Sequence, residues 1–205
     1  MTRDILTTHR RENWGEPMRR IGLATAEIAR KYPEYLTVFP AHANPLVREQ
    51  VLPAVENLDN VIVCEPLDYP EFVHAQKWAQ IILTDSGGVQ EEAPSFGKPV
   101  LVLRENTERP EAVDAGTVRL IGTEVDRIVT EISRLIDDPI SYEAMSRAVN
   151  PYGDGRAAER SAAAIAELLG VGQRLPEFVV DRSRPEVVGD ADDSEGARRS
   201  PVLAS

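Results

Sequence analysis

Short apolar segments alternate with segments of helical spacing over most of this chain, and this alternation strongly constrains its fold. Val61–Cys64 and Ile81–Thr84 are continuous apolar or β-prone runs. Between such runs apolar residues recur at the spacing of one helix face, as in Ile128, Ile132 and Leu135. Continuous apolar strands are typical of a parallel sheet that is covered on both faces. The pattern therefore predicts an α/β fold, with a parallel sheet and helices on both of its faces.

Local signals set the predicted bounds of individual elements. Asn44 followed by Pro45 is typical of a helix start, with an asparagine N-cap and proline in the first turn. Pro94 cannot donate a helical hydrogen bond, so the helix that opens at Ser86-Gly87-Gly88 should be short or kinked. The predicted strands are Ile5–Thr8, Leu36–Phe39, Val61–Cys64, Ile81–Thr84, Val100–Leu103 and Val118–Ile121. The other predicted helices contain Met18 to Ile28, Val47 to Val55, Tyr69 to Trp78, Ile128 to Ile136 and Ala157 to Leu169.

A change of composition near Gly170 divides the chain. Its 205 residues suffice for one domain with a tail. Residues 171–205 are rich in Arg, Asp, Pro, Gly and Ser and show no sustained period. We therefore predict a folded domain over residues 1–170 and a disordered tail over residues 171–205, with a functional tail as the alternative.

Charge and apolar run lengths argue against several classes of protein. A net charge of −11 argues against nonspecific binding to nucleic acid or to anionic lipid. The longest apolar runs, such as Pro99–Leu103, have about five residues, whereas a membrane helix needs roughly 20. The first residues lack the apolar stretch of a secretory signal, so a cytoplasmic location is expected. Cys64 is the single cysteine, which rules out an intramolecular disulfide or a cysteine-based zinc cluster.

Polar residues follow the predicted strands, at the end of the sheet where ligands of such folds bind. Ser86-Gly87-Gly88 opens a helix directly after a strand, which suits an anion such as phosphate, or is simply a tight turn. Glu91 and Glu92 are suited to accept hydrogen bonds from a ribose diol. The alternative is that their negative charge is simply favourable near the N-terminus of a helix. Arg109 suits a diphosphate, with a surface salt bridge as the alternative. His9 suits a proton donor beside a phosphate leaving group, with a purely structural histidine as the alternative.

Five motifs, in this order along the chain, resemble one known family. They are His9–Gly15, Pro40–Pro45, Thr84–Pro94, Thr107–Gly116 and Asn150–Gly155. The chain resembles the C-terminal half of the non-hydrolysing UDP-N-acetylglucosamine 2-epimerases, from about Ile5 to Leu169. The resemblance implies a Rossmann-like domain that forms one half of the arrangement called GT-B. It also implies interconversion of UDP-GlcNAc and UDP-ManNAc, by elimination of UDP to a 2-acetamidoglucal and re-addition after inversion at C2.

The same resemblance implies roles for individual residues. His9 would stand beside the diphosphate and assist its departure or return, which makes it the predicted catalytic residue. Arg10 and His42 would contact a second UDP-GlcNAc, as an allosteric activator does in some members. No metal ion and no redox cofactor is implied. The residues expected to bind UDP are Phe72 at the uracil, Glu92 at the ribose, and Ser86, Gly87, Gly88 and Arg109 at the diphosphate.

The resemblance covers only half of a family member. Members carry an N-terminal domain that brings basic phosphate contacts and the acids thought to handle the C2 proton, and they commonly form homodimers. The sequence thus supports three hypotheses. The chain is the UDP-binding half of an epimerase that works with a separate N-terminal half, or a nucleotide-sugar binding or regulatory module, or a GT-B glycosyltransferase-like domain. The motifs His-Arg-Arg-Glu-Asn and Thr-Glu-Arg-Pro-Glu favour the epimerases over the glycosyltransferases.

Overall fold

A six-stranded, all-parallel sheet forms the centre of the molecule. The structure, a computed structural model, describes residues 2–180. The strand order is β3-β2-β1-β4-β5-β6, and every neighbouring pair is parallel. The predicted α/β fold is therefore confirmed. The strands are β1 (Thr2–Thr7), β2 (Tyr35–Pro40), β3 (Val61–Cys64), β4 (Ile81–Thr84), β5 (Val100–Val102) and β6 (Val118–Leu120).

Helices connect these strands, and their starts follow the signals in the sequence. The side chain of Asn44 accepts a hydrogen bond from the backbone N–H of Leu46, which confirms the predicted N-cap. The helix after β4 has six residues and passes into a 3-10 turn at Ala93–Phe96, so the predicted effect of Pro94 is confirmed. The helices described are α1 (Glu16–Lys31), α2 (Pro45–Val55), α3 (Tyr69–Trp78), α4 (Gly87–Glu92), α5 (Pro110–Ala115), α6 (Val125–Asp137), α7 (Pro139–Ser146) and α8 (Ala157–Leu168).

Apolar side chains cover both faces of the sheet. Successive residues of β1 point to opposite faces, so Leu6 belongs to the larger core cluster and Ile5 to the smaller one. The larger cluster includes residues of α1, α2 and α6, and the smaller one includes Val89 and Ala112 from α4 and α5. The predicted helices on both faces are thus confirmed.

The last helix differs from the rest of the domain. None of the residues of α8 is buried, and Leu168 is 86% exposed. Residues 171–180 after it form neither helix nor strand. The remainder of the predicted disordered tail, residues 181–205, lies outside the described residues. In the described part of the chain, no helix has the length and apolarity of a membrane span.

Candidate functional site

The strand order brings two polar loops together at the middle of the sheet. Thr7 and Thr84, the last residues of β1 and β4, are cross-strand partners, and their Oγ1 atoms are 3.4 Å apart. The chain continues from β1 towards one edge of the sheet and from β4 towards the other. Such a reversal leaves a crevice beyond the carboxyl ends of the strands, and ligands of open α/β sheets bind there.

A fully buried aspartate, Asp85, holds these two loops together. Its Oδ2 accepts hydrogen bonds from Thr8 Oγ1 (2.8 Å), the backbone N–H of Arg10 (2.9 Å) and Asn13 Nδ2 (3.0 Å). The backbone N–H of His9 lies 3.0 to 3.1 Å from both carboxylate oxygens. A carboxylate can remain buried where donors surround it in this way. The loop after β1 is therefore folded around the residue that follows β4.

His9 stands at the open side of this network. Its Nδ1 is 3.5 Å from Asp85 Oδ1, and its side chain is 42% exposed. Its ring stacks on that of His42, with centroids 5.6 Å apart and planes inclined by 16°. His42 Nδ1 accepts a hydrogen bond from the backbone N–H of Asn44, which places the ring proton of neutral His42 on Nε2. His9, His42 and Phe72 line one open pocket.

Arg109 lies against the first residue of α4. A Cβ atom built on Gly87 would come within 2.7 Å of Arg109 Nη1, so any larger residue there would force the guanidinium to shift. A Cβ on Gly88 would meet nothing within 4 Å. The backbone N–H of Ser86 donates to Thr84 Oγ1 at 2.9 Å and fixes the turn before the helix. The predicted Ser-Gly-Gly turn and the predicted arginine are therefore neighbours.

Gln90 joins the turn after β4 to the loop after β5. Its Nε2 donates to the backbone oxygen of Ser86 at 3.2 Å, and its Oε1 accepts from Thr107 Oγ1 at 2.7 Å. The backbone N–H of Arg109 in turn donates to Thr107 Oγ1 at 3.1 Å. This buried glutamine thus fixes the backbone of Arg109 relative to the Ser-Gly-Gly turn.

Carboxylates surround the two arginines of this region. Arg109 Nε donates to Glu91 Oε1 at 2.5 Å, and its Nη1 is 3.6 Å from Glu108. The buried Arg104 pairs with both Glu12 and Glu108. The hydrogen bond from Arg104 is the main reason why the pKa of Glu108 falls to about 2. The loops after β1 and β5 are thus linked by a row of alternating charges.

The remaining predicted residues take separate places. Arg10 Nη1 is 3.7 Å from Glu108, so its guanidinium joins the row of charges. Glu92 Oε2 accepts a hydrogen bond from Gln76 Nε2 at 3.2 Å. Burial, followed by the charges of Glu111 and Glu91, raises the pKa of Tyr152. The Asn150–Gly155 motif therefore reaches the surroundings of Arg109. Among residues 2–180, no group of three or more His, Cys, Asp or Glu side chains is placed to hold a metal ion.

Sequence reasoning missed several residues that shape this site. Asp85, Asn13, Gln76, Gln90 and Arg104 are all buried polar residues that the sequence analysis did not single out. Asp85, Asn13 and Gln90 lie within the quoted motifs, and this was an available signal. Gln76 had no such signal, because its contact with Glu92 depends on how α3 packs against the 3-10 turn after α4.

The order of the strands, with a polar site at the point where the order reverses, defines a Rossmann-like domain of the nucleotide-binding type. The family model for UDP-N-acetylglucosamine 2-epimerase matches residues 3–166. The chain therefore belongs to the UDP-N-acetylglucosamine 2-epimerase family. It is 56% identical over 161 residues to a probable UDP-N-acetylglucosamine 2-epimerase of Ralstonia nicotianae, and the match covers 78% of this chain and 43% of that protein. It is 54% identical over 156 residues to the UDP-N-acetylglucosamine 2-epimerase of Escherichia coli K12, and the match covers 76% of this chain and 42% of that protein.

Solved structures show the same correspondence. The Neisseria meningitidis UDP-GlcNAc 2-epimerase bound to UDP-GlcNAc is 48% identical with a TM-score of 0.77, over 82% of this chain and 44% of that one. The S. aureus MnaA–UDP co-structure is 45% identical with a TM-score of 0.83, over 87% of this chain and 49% of that one. The chain thus spans less than half the length of each of these four relatives, and corresponds to one half of their GT-B arrangement.

Proposed function

We propose that this chain is the UDP-binding half of a UDP-N-acetylglucosamine 2-epimerase. One observation carries the proposal. The Ser86–Gly88 turn, Arg109 and His9 gather at the carboxyl ends of β1 and β4, in a family whose solved members include complexes with UDP and UDP-GlcNAc. A likeness to the C-terminal domain of a glycosyltransferase from Francisella tularensis, at 17% identity, shows the fold alone. The identities of 48 to 56% favour the epimerase over the glycosyltransferase.

The proposed contacts come from the family resemblance, and the geometry is compatible with them. The uracil would lie beside Phe72. Glu92 would accept hydrogen bonds from the ribose hydroxyls. The diphosphate would lie between the Ser-Gly-Gly turn and Arg109. Arg109 now pairs with Glu91, so a diphosphate would join or replace that carboxylate as its partner.

These groups suit the departure of UDP from the sugar. As the bond between C1 and the phosphate oxygen breaks, its electron pair goes to the diphosphate, which becomes more negative. A guanidinium and fixed backbone N–H groups stabilise that developing charge without rearrangement. His9 would donate a proton or a hydrogen bond to the departing oxygen and reverse this in the re-addition. Asp85 positions His9, because it binds both its backbone N–H and its Nδ1 side. Removal and return of the C2 proton would fall to the other half of the enzyme.

Proton NMR of UDP-GlcNAc in D₂O tests the proposal. We expect the chain alone to bind UDP. We expect loss of the C2 proton signal, with a ManNAc species, when the N-terminal half of a relative is added. His9→Ala should leave UDP binding in place and slow the exchange, by a factor on the order of 100. If the chain binds no UDP at millimolar concentration, the proposal is wrong.

Other expectations stay predictions. A second nucleotide sugar at Arg10 and His42, a homodimer, a separate N-terminal half and a cytoplasmic location have support only from the family resemblance or from composition. His42 stacks on His9, so a ligand that contacts His42 could change the position of the proposed catalytic residue His9. Isothermal titration with UDP-GlcNAc in the presence of saturating UDP tests for the second ligand.

A further inference from the structure

Gln76 is buried in a place where its amide is not fully satisfied. Within α3, whose residues are all described, it is the one residue with a buried side chain, and its exposure is 0%. Its Oε1 has no hydrogen-bond partner among the described residues. A buried acceptor without a partner lowers stability, and an apolar side chain of similar size would avoid that cost. Packing therefore does not explain why this position holds a glutamine.

The other end of the same amide makes a specific contact. Gln76 Nε2 donates to Glu92 Oε2 at 3.2 Å. The preceding carboxylate, Glu91, pairs instead with Arg109. The two adjacent glutamates are thus directed to different partners, one to the arginine and one to the amide. A carboxylate held by one donor keeps its second oxygen and further lone pairs free for other donors.

Gln76 lies on the same helix as Phe72, the side chain proposed to meet the base. Phe72 lies four residues earlier, so the two side chains share one face of the helix. Phe72 lines the pocket with His9 and His42. One face of α3 therefore carries the side chain proposed to meet the base and, one turn later, the amide that holds the carboxylate proposed to meet the ribose.

We propose that Gln76 is a positioning residue for ribose recognition, because its amide fixes the Glu92 carboxylate so that the free oxygen faces the ribose diol. The inference rests on the proposed function. A glutamate has several rotamers, and a hydrogen bond that selects one of them before binding reduces the entropy lost on binding. Discrimination between a ribose and a sugar that lacks both hydroxyls therefore depends on Gln76.

The test compares UDP with 2′,3′-dideoxyuridine diphosphate by isothermal titration of the 205-residue chain. The unsubstituted chain should bind UDP roughly 10- to 100-fold more tightly, as expected for hydrogen bonds to a charged group. Gln76→Leu should reduce this ratio of affinities to about 3-fold, mainly by weakening the binding of UDP. Its melting temperature should be unchanged or higher, because the unsatisfied oxygen is gone. His74→Leu, at an exposed position of the same helix, is the matched control and should keep the full ratio.

The outcomes separate the inference from the proposed function. If Gln76→Leu weakens both ligands by the same factor, the residue has only a structural role and the inference is overturned. If the unsubstituted chain binds neither ligand, the proposed function is wrong and the inference with it. Glu92→Gln should also lower the ratio, and adding Gln76→Leu to it should change the ratio no further.

A second measurement needs no substitution at Gln76. In the unsubstituted chain, the side-chain amide resonances of Gln76 should shift more on saturation with UDP than with the dideoxy ligand. This applies even where Gln76→Leu fails to fold. Equal shifts with the two ligands would contradict a role in ribose recognition.

Discussion

Two buried aspartates at opposite ends of the sheet show how different these ends are. Asp4 lies near the start of β1 and is 3% exposed, while Asp85 follows β4 and is 0% exposed. Asp4 accepts a hydrogen bond from the backbone N–H of Ile81 at 3.2 Å, and burial raises its pKa to about 7. Asp85 accepts hydrogen bonds from Thr8, His9, Arg10 and Asn13.

The difference shows where this fold can hold charge. The region around Asp4 is mostly apolar, with Ile5, Leu83 and Ile132 nearby, so it favours the neutral acid. Around Asp85 the loop after β1 turns its N–H groups and polar side chains inward. The carboxyl end of the sheet is therefore built around polar contacts between loops, which is where a charged ligand can be bound. The amino end is built as core.

Asp85→Ala is expected to have the largest effect. It would leave the donors of Thr8, Asn13 and the backbone of Arg10 without their acceptor, at a cost of about 3 to 5 kcal/mol in the free energy of unfolding. Urea denaturation at pH 7 measures this. A loss below about 1 kcal/mol would mean that water replaces the carboxylate, and that the two ends differ less than described.

Asp4→Asn, unlike Asp85→Ala, is expected to raise the free energy of unfolding at neutral and higher pH. The pKa of Asp4 is higher in the folded chain (about 7) than its ordinary value of 3.8. Its contribution to stability is therefore fully present below about 3.8, is lost as the pH rises, and is gone above about 7. That difference corresponds to roughly 4 kcal/mol. Asp4→Asn should remove this pH dependence and stabilise the chain at pH 8, as measured by urea denaturation at pH 5 and pH 8. Parallel pH profiles of the two chains would contradict the assignment.

Gly87→Ala is expected to have the smallest effect, confined to the carboxyl end. The new methyl group would displace the guanidinium of Arg109 and weaken UDP binding by about 10-fold, or ~1.4 kcal/mol. Gly88→Ala is the matched comparison and should weaken binding less, because its Cβ enters open space. Isothermal titration with UDP measures both. Equal losses for the two variants would argue against the packing of Arg109 on Gly87 in the complex.

The parts of the fold that depend on local sequence were predictable. The bounds of β3, β4 and α3 agree with the prediction, because each is a continuous apolar or helical segment with clear ends. Two helices, α5 and α7, were missed. Yet Asp138 caps α7 before Pro139 by the same signal as Asn44 before Pro45, since its side chain accepts from the backbone N–H of Ile140.

The parts of the site that depend on distant contacts were not predictable from composition or spacing. Their positions after predicted strands pointed to His9, Glu92 and Arg109, and the resemblance gave these residues their expected roles. The sequence did not supply their partners, because Asp85 meets His9 only through the pairing of β1 with β4, and Gln76 meets Glu92 only through helix packing. Partners of this kind are separated by 16 or more residues, so local patterns carry no signal for them.

The central claim is that UDP binds at the carboxyl end of β1 and β4. The most direct test is a titration of the ¹⁵N-labelled chain with UDP, followed by amide resonances. We predict that shifts concentrate in residues 8–15, 86–92 and 107–110, while residues near the start of the strands, such as Asp4 and Val61, stay unchanged. No shifts at millimolar UDP, or shifts centred at the amino end of the sheet, would contradict the claim.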